Sequence, residues 1–328
     1  MKLVIQLPAW NEEESLPRTL AALPRRLAPF REVEILVVDD GSTDATAEAA
    51  LAAADRLVRL PAHAGLAAAF RAGLEAALAA GADVIVNFDA DGQYDPGDIP
   101  ALVAPILAGR ADLVIGDRGP GTLAHFSASK RLLQRLGSWV VEQAAGIEVP
   151  DATSGFRAFS REAARKVNVF SRMTYTLETI IQAGSKGLRV GSVPVRAHET
   201  HRRSRLLSSV PHYVAVQAAN ILRITALYKP LKLFSAAAAV FLLAGVALGA
   251  RFLYYFFFTP RAAGHVQSLI LAAVLILVGA LTFLIALLAD LVSINRTLLE
   301  ELRLRDPPSA VSSPLSAGKT DTARPADR

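Results

Sequence analysis

Short apolar runs alternate with longer stretches rich in alanine, leucine and arginine as far as residue 200. The apolar runs lie at residues 2–7, 33–38, 57–60, 84–88 and 113–115. They are rich in Val, Ile and Leu and barely alternate in polarity, which predicts strands of a parallel sheet covered on both faces. Helices are predicted between them, at residues 13–27, 44–53, 65–80 and 97–107. This alternation is typical of βαβ units in an α/β fold.

The pattern changes after residue 230, where two long apolar runs follow each other. Between residues 231 and 250 only Lys232 is charged, and residues 268–289 carry no charge. Runs of about 20 residues match the length that an α-helix needs to cross a bilayer. We therefore predict two transmembrane helices, at about 231–257 and 267–291, that form a hairpin. A buried helical hairpin in a soluble core is the alternative.

Basic residues flank this hairpin on both outer sides. Arg223 and Lys229 precede the first span and Arg296 follows the second, whereas the connecting loop contains Arg261. Because Lys and Arg are enriched in cytoplasmic loops, we expect the N-terminal domain and both termini in the cytoplasm. The N-terminus has no signal-peptide layout, which agrees with this orientation. The predicted location is the cell (inner, cytoplasmic) membrane, with more than one pass.

The same patterns divide the chain into four parts. We expect an α/β domain over residues 1–207, followed by a membrane-interface helix over 208–228, because the apolar side chains of that stretch recur at helical spacing. The hairpin then occupies residues 229–297. Residues 298–328 would form a cytoplasmic tail that is largely disordered, since its end is rich in Pro, Ser, Ala and Thr.

Composition and net charge restrict the kinds of metal site and binding partner that the chain can have. The 328 residues include 35 Lys+Arg and 30 Asp+Glu, which gives a net charge of +5, and no cysteine. A chain without cysteine has no thiolate metal site and no cysteine nucleophile, so a bound metal would need oxygen or nitrogen ligands. A mildly basic chain can bind nucleic acid, anionic lipid or a phosphorylated substrate. We expect no nucleic acid, because the basic residues form no patch interleaved with aromatic side chains.

Acidic and polar motifs directly follow three of the predicted strands. They are residues 8–13 (Pro-Ala-Trp-Asn-Glu-Glu), 37–44 (Val-Val-Asp-Asp-Gly-Ser-Thr-Asp) and 88–93 (Phe-Asp-Ala-Asp-Gly-Gln). In open α/β sheets the ligand lies beyond the carboxyl ends of the strands, so we expect these carboxylates to converge. Convergent carboxylates repel one another unless a cation or a donor neutralises them.

A hard divalent ion is the simplest interpretation of Asp89, Asp91 and Gln93, because such ions bind oxygen ligands and keep positions open for substrate phosphates. The alternative is that these side chains only form turns and cap helices. A fourth motif, residues 151–157 (Asp-Ala-Thr-Ser-Gly-Phe-Arg), lies further along the chain.

Taken in order, these motifs resemble the inverting family 2 glycosyltransferases, which have the GT-A fold. The resemblance rests on Pro8 with Asn11 and Glu12, on residues 38–42 and on residues 89–93. The Ser-Gly-Phe-Arg sequence and the paired C-terminal spans are similar to the polyprenyl-phosphate sugar synthases, meaning dolichyl-phosphate mannose synthase and its bacterial undecaprenyl-phosphate relatives. The resemblance implies a Rossmann-like, mostly parallel GT-A catalytic domain over residues 1–207.

The resemblance also implies roles for individual residues. The nucleotide sugar would be bound by Pro8, Trp10, Glu12, Asp39, Asp40, Asp89, Ala90, Asp91 and Arg118. Mg²⁺ or Mn²⁺ would be held by Asp89, Asp91 and Gln93. The donor diphosphate and a lipid phosphate would be bound by Arg202, Arg203 and Arg205. The residues expected to be catalytic are Asp91, Arg118 and Arg205.

A phosphate acceptor agrees with the chemistry of these residues. A hydroxyl acceptor needs a general base, whereas a lipid monophosphate is already anionic at neutral pH. It needs positive charge to offset repulsion from the donor diphosphate, and the arginines at 202, 203 and 205 are suited to supply it. Their alternative role is attraction to anionic headgroups. Glu178, where relatives often carry an acidic base, is either structural or positions the acceptor.

The predicted function is transfer of one sugar from a UDP- or GDP-hexose to undecaprenyl or dolichyl phosphate at the cytoplasmic membrane face, with a divalent metal and with inversion. Two alternatives are a glycosyltransferase with another lipid or a polysaccharide as acceptor, and a non-catalytic membrane scaffold that retains the fold. The Gln-x-x-Arg-Trp signature of processive synthases is missing around Trp10 and Trp139. The motifs are compatible with several hexoses, and the paired spans allow a homo-oligomer.

Overall fold

One mixed sheet forms the centre of the N-terminal part of the protein. The computed structural model describes residues 1–119, 142, 145–147, 149–169, 175–198, 218–219, 222–223, 225–258 and 266–305. Over those residues the strands are β1 (Lys2–Ala9), β2 (Glu32–Asp39), β3 (Arg56–Arg59), β4 (Val84–Asn87), β5 (Leu113–Asp117), β6 (Arg157–Ser160) and β7 (Val190–Pro194). Their order in the sheet is β3-β2-β1-β4-β6-β5-β7. All neighbouring strands are parallel except β6, which is antiparallel to both β4 and β5.

Helices cover both faces of this sheet. They are α1 (Leu16–Ala22), α2 (Thr46–Ala53), α3 (Leu66–Ala79), α4 (Ile99–Leu107), α5 (Arg161–Lys166) and α6 (Thr176–Ser185). Successive side chains of a strand point to opposite faces, so Val4 of β1 packs with Phe70 of α3, while Ile5 packs in a second cluster with Leu20 of α1. Both faces are buried, which confirms the predicted α/β fold with a mostly parallel sheet.

Two differences from the sequence prediction have clear physical causes. The helix predicted over 13–27 is shorter, because Pro24 forces Leu23 into an extended conformation and ends α1 at Ala22. The pattern did not predict β6 and β7. β6 has four residues and begins with an arginine, while β7 contains a glycine, a serine and a terminal proline, so neither resembles a continuous apolar strand.

Two long apolar helices follow the α/β domain, α7 (Pro230–Phe258) and α8 (Val266–Arg305). Pro230–Phe258 and Val266–Arg296 are long and apolar enough to cross a membrane, with mean hydropathies of 2.2 and 3.0. Most of their side chains are exposed, so their surface favours membrane association. α8 continues beyond the boundary predicted at 297. Most of the predicted interface helix (208–228), the loop 259–265 and residues 306–328 lie outside the described residues.

Small side chains allow α7 and α8 to pack closely. A Cβ atom at Gly245 would lie 2.7 Å from Cγ1 of Ile276, and one at Gly279 would lie 2.7 Å from Cγ of Leu242. Ala272 is buried at the same contact. Helices in membranes associate largely through such close backbone approach, so this contact holds the two helices together as a hairpin.

The hairpin also contacts the α/β domain. Nζ of Lys229 donates a hydrogen bond to the carbonyl oxygen of Ala145 at 3.0 Å. The guanidinium of Arg296 lies 4.2 Å from the ring centre of Tyr228 and donates to its hydroxyl group. Tyr228 packs against the core cluster of the α3 face of the sheet. These contacts hold the beginning of α7 against the domain.

The ion pairs of the Glu34 carboxylate on β2 allow a test of how much they contribute to folding stability. It lies 2.6 Å from Nζ of Lys2 and 2.6 Å from Nε of Arg56. Burial would raise the pKa of Glu34, but these hydrogen bonds and charges outweigh burial and lower the pKa below 4.5. We expect Glu34→Gln to destabilise the protein by about 1 kcal/mol at pH 7, since exposure of Arg56 weakens the pair.

The destabilisation should depend on pH. The folded-state pKa is the lower one, so the contribution of Glu34 is present above 4.5 and is lost as the pH falls through the folded-state value. Unfolding midpoints of the full chain in detergent should therefore converge for wild type and Glu34→Gln between pH 7 and pH 3. Glu32→Gln, at an exposed position 2.8 Å from Lys2, is the matched control. A pH-independent difference would contradict the assignment.

Candidate functional site

The loops that follow β1 and β2 are joined by hydrogen bonds. The amide of Asn11 donates to Oγ of Ser42 at 2.9 Å, and the amide of Thr43 donates to Oδ1 of Asn11 at 2.9 Å. The amide of Glu12 donates to Oγ1 of Thr46 at 2.8 Å. Asn11 adopts a φ of 53°, a left-handed conformation that asparagine tolerates better than most residues. The predicted convergence of the first two motifs is confirmed.

Trp10 and His63 form a flat aromatic surface beside these loops. Their ring centres are 4.0 Å apart and the rings are inclined by 21°, while Trp10 is 36% exposed. Nδ1 of His63 lies 2.8 Å from Oδ2 of Asp40. The Asp40 carboxylate also accepts the amides of Ala64 and Gly65 at 2.8 and 2.9 Å. Asp40 therefore fixes the loop after β3 and orients the imidazole on the indole.

His63 lies in this candidate site and was not predicted from the sequence. It follows a short, half-buried strand and belongs to no recognised motif. Gly41 has a φ of 67°, and a Cβ there would lie 2.6 Å from the His63 amide nitrogen. The close approach of the two loops thus requires glycine at residue 41, which was the available sequence signal.

Asp39, Glu12 and Pro8 line the floor of the same region. Oδ1 of Asp39 accepts the Ser42 amide at 2.9 Å, and Oδ2 lies 3.1 Å from Nε of Arg59. The Arg59 contact lacks hydrogen-bond geometry, and no described residue donates a hydrogen bond to this buried oxygen. The Glu12 carboxylate accepts the hydroxyl of Ser15 at 2.6 Å, while Pro8 is buried at the end of β1. Oδ2 of Asp39 is therefore a buried oxygen that lies beside Arg59 without a hydrogen bond from the described residues.

Asp89 and Asp91 lie directly after β4, on either side of the buried Ala90. Burial and the nearby charge of Asp91 raise the pKa of Asp89 to about 7, against the opposing charges of Arg118 and Arg157. Asp91 is exposed and accepts the amide of Gln93 at 3.0 Å. The two carboxylates therefore repel each other and favour a cation between them and solvent.

The donor set of this region fits a hard divalent ion. No group of three His, Asp, Glu or Cys side chains is close enough to chelate a metal among the described residues. Mg²⁺ is commonly bound by one or two carboxylates together with water and substrate phosphates. Asp89 and Asp91 would thus supply the protein ligands, and a diphosphate would complete them. Gln93 is placed beside them through its backbone bond to Asp91.

Arg118 is held at the same edge by Asp151. Its Nε and Nη2 donate to the two carboxylate oxygens at 2.7 and 3.0 Å, and Nη2 also donates to Oγ1 of Thr153 at 2.8 Å. Burial disfavours the charged guanidinium, but the bonds and charge of Asp151 outweigh burial and raise the pKa of Arg118. The sequence identified the motif containing Asp151 but not its contact with Arg118, 33 residues away.

A buried polar network fixes the turn behind Asp89. Nδ2 of Asn87 donates to the carbonyl of Gly155 at 2.9 Å and to the hydroxyl of Tyr175 at 2.8 Å. The amide of Gly155 donates to the hydroxyl of Tyr94 at 3.2 Å. A Cβ at Gly155 would lie 2.6 and 2.7 Å from the two carboxylate oxygens of Asp89. Only glycine therefore leaves room for Asp89 in this position.

The chain returns to this region before the arginine motif. The amide of His198 donates to the carbonyl of Gln93 at 2.8 Å, and Arg196 forms ion pairs with Asp95 and Asp98 at 2.9 and 2.8 Å. The expected phosphate ligands lie outside the described residues: Arg202, Arg203 and Arg205. Glu178 is buried on α6, where it accepts a hydrogen bond from Gln182 at 3.3 Å.

Two proteins with assigned activities are similar in sequence to this chain. Undecaprenyl-phosphate mannosyltransferase of Micrococcus luteus is 32% identical over 206 residues, which cover 60% of this chain and 83% of that protein. Polyprenol monophosphomannose synthase of Mycolicibacterium smegmatis is also 32% identical over 206 residues, covering 59% of this chain and 76% of that protein.

A solved structure shares the fold. Glucosyl-3-phosphoglycerate synthase from Mycobacterium tuberculosis, crystallised with Mn²⁺, UDP-glucose and phosphoglyceric acid, matches with a TM-score of 0.55 and 22% identity. The match covers 68% of this chain and 79% of that one. At this level of identity the likeness establishes the GT-A fold alone.

A match to a known protein family covers the residues of the candidate site. The family described as "Glycosyl transferase family 2" matches residues 4–167, a segment that contains the aromatic surface, the acidic pair and the Arg118–Asp151 ion pair. With this match and these relatives, the chain belongs to glycosyl transferase family 2 and is a glycosyltransferase.

Proposed function

We propose that the protein transfers one hexose from a nucleotide sugar to a polyprenyl phosphate at the cytoplasmic face of the membrane, with Mg²⁺ or Mn²⁺ and with inversion. One observation carries this proposal: the acidic pair Asp89 and Asp91 shares a sheet edge with the fixed cation Arg118 and the Trp10–His63 surface. This combination suits a diphosphate attached to a planar base.

The aromatic surface would bind the base of the donor. Base–aromatic stacking contributes about 1–3 kcal/mol, and the partly exposed stack of Trp10 and His63 is suited to it. Asp39 and Asp40 would support the base indirectly, because Asp39 is buried beside Arg59 and both oxygens of Asp40 already accept amides of the loop after β3. Uracil and guanine both offer a planar face to the Trp10–His63 surface, and we propose UDP- and GDP-hexoses as the two donor classes.

The acidic pair and Arg118 would bind the diphosphate. A metal held by Asp89 and Asp91, beside Gln93, would neutralise the diphosphate and stabilise it as the leaving group. Arg118 uses Nε and Nη2 for Asp151 and Thr153. Among the described residues Nη1 makes no hydrogen bond, which leaves this nitrogen for the donor phosphates or sugar.

The position of His198 supports a role for the arginine motif at the same site. Because His198 is bonded to Gln93, chain length limits the Cα atom of Arg202, four residues later, to at most about 14 Å from that of His198. Arg203 and Arg205 follow in the sequence, and we propose that the motif supplies positive charge to the donor diphosphate and to an incoming phosphate. Arginine binds phosphate through two parallel hydrogen bonds.

A membrane lipid is the acceptor class that agrees with the rest of the chain. The two relatives act, by name, on undecaprenyl phosphate and on a polyprenol, and this chain carries two candidate membrane spans. Lys229 holds the beginning of α7 against the catalytic domain. A phosphate acceptor needs no proton removed, and burial of Glu178 favours a structural role for that residue.

Removal of Asp91 should test the metal and catalytic assignment together. We expect Asp91→Ala to lower the metal-dependent release of nucleoside diphosphate at least 100-fold in membranes supplied with undecaprenyl phosphate, because the diphosphate loses its neutralising cation. Glu75→Gln, which changes an exposed carboxylate on α3, is the control. If Asp91→Ala and wild type released nucleoside diphosphate equally, Asp91 would have no catalytic role.

Replacement of the three arginines should test whether they are needed to bring the lipid-phosphate acceptor to the nucleotide-sugar donor. We expect the combined variant Arg202→Ala, Arg203→Ala and Arg205→Ala to lower transfer to polyprenyl phosphate at least 100-fold, because the two anionic substrates then repel each other without compensation. Single variants would identify which arginine contributes most. Arg110→Ala, at an exposed position on the same domain, controls for net charge. Unchanged transfer by the combined variant would exclude the motif from the site.

Trp10 variants should reveal the base subsite and the donor class. In competition assays with a panel of UDP- and GDP-sugars, we expect Trp10→Ala to weaken binding of the preferred nucleoside diphosphate by about tenfold, because the stacking contact is lost. Trp10→Tyr should keep most of the affinity. Inorganic pyrophosphate, which has no base, should compete with the donor equally well in wild type, Trp10→Ala and Trp10→Tyr. Weakened pyrophosphate binding in Trp10→Ala would place Trp10 at the phosphates instead.

A further inference from the structure

Arg157, the last residue of the fourth motif, is completely buried at the start of β6. Its Nε donates to the carbonyl of Ser154 at 2.8 Å and Nη2 to that of Ala152 at 2.9 Å. Its Nη1 donates to the carbonyl of Thr176 at 2.7 Å and to Oγ1 of Thr179 at 2.5 Å. The guanidinium therefore joins the turn at 152–154 to the first turn of α6.

The hydrogen-bond partners of Arg157 are neutral. Among the described residues no carboxylate forms an ion pair with it, although the charges of Asp151 and Asp89 attract it from a greater distance. Burial lowers the pKa of Arg157 to about 10. A buried charge without a direct ion pair is costly for folding. A methionine or leucine would fill similar space without a buried charge but would leave the carbonyls of Ala152, Ser154 and Thr176 without their donor, so the hydrogen bonds, and not apolar packing, account for the arginine.

The turn that Arg157 holds contributes two groups to the donor site. Asp151, at its beginning, accepts two hydrogen bonds from Arg118 and fixes the direction of that guanidinium. Gly155, at its end, lies directly behind the carboxylate of Asp89. Movement of this turn would therefore displace a cation and an anion of the site at the same time.

We propose that Arg157 is a positioning residue for the donor site. By binding Ala152, Ser154 and the first turn of α6, it sets the separation of Arg118 from Asp89, and hence the space for a metal-bound diphosphate. Its buried charge also offsets part of the negative charge of Asp89 and Asp151. The inference rests on the proposed function, because that proposal assigns the diphosphate and the metal to this edge.

Two conservative variants test the inference without removing the whole side chain. Arg157→Lys keeps the charge but cannot make all four hydrogen bonds, and Thr179→Val removes one acceptor while keeping the shape of its side chain. Arg161→Met is the matched control, because Arg161 is an exposed arginine near the start of the same strand–helix unit and makes long contacts of 3.4 Å with two carbonyls.

The full chain in detergent is the material for the measurements. Mn²⁺ affinity is measured by calorimetry or electron paramagnetic resonance, alone and with saturating UDP or GDP, alongside thermal midpoints, kcat and donor KM. Changes of residues behind metal ligands typically cost 10–100-fold in metal affinity or activity. We expect at least tenfold weaker Mn²⁺ binding in nucleotide-containing samples of folded Arg157→Lys, about threefold in Thr179→Val, and no change in Arg161→Met.

The measurements distinguish failure of this inference from failure of the proposed metal site. If folded Arg157→Lys and Thr179→Val bound Mn²⁺ and turned over within twofold of wild type, Arg157 would be purely structural and the inference would be overturned. The same conclusion would follow if activity fell only in proportion to the unfolded fraction. If Asp91→Ala weakened Mn²⁺ binding and Arg157→Lys did not, only this inference would fail. If neither change weakened it, the proposed metal site would fail as well.

Discussion

Repulsion between carboxylates at one edge of the sheet is the constraint on which the site depends. Asp89 and Asp91 are separated by a single residue, and the raised pKa of Asp89 reflects both its burial and the neighbouring charge. The structure compensates with Arg118 and Arg157, whose guanidiniums are both hydrogen-bonded to the turn that precedes β6. The negative charge that remains on the exposed Asp91 favours a cation on the side facing solvent.

The topology of the sheet explains why this arrangement is possible. β6 lies between β4 and β5 and is antiparallel to both, so Asn87, the last residue of β4, pairs with Arg157, the first residue of β6. An antiparallel strand begins where its parallel neighbours end. The motif preceding β6 is therefore delivered to the carboxyl edge of β4, and Asn87 itself bonds the carbonyl of Gly155. A parallel β6 would have carried Asp151 to the opposite edge.

The parts of the site that follow parallel strands could be predicted from sequence, and the parts that depend on β6 could not. Residues 8–13, 37–44 and 88–93 each follow a continuous apolar run, and parallel strands gather their carboxyl ends at one edge. The bond from Arg118 to Asp151 needs the direction of a four-residue strand that begins with arginine. The stacking of His63 on Trp10 depends on two loops meeting at Gly41. Neither contact can be predicted from a local stretch of sequence, because each joins residues that are far apart along the chain.

Charge balance also connects the donor site with the membrane. Asp89, Asp91 and Asp151 carry one more formal charge than Arg118 and Arg157 can neutralise, and a divalent ion reverses the balance by only one unit. A nucleoside diphosphate and a lipid phosphate bring more negative charge than that ion can offset, so transfer between them requires further cations that do not belong to the rigid sheet edge. The chain leaves that edge at His198, bonded to Gln93, and the next basic residues are the three arginines that precede the hairpin. Under the proposed function this stretch supplies the missing charge, and an acceptor anchored in the membrane is the class that fits a basic segment directly preceding two candidate membrane spans.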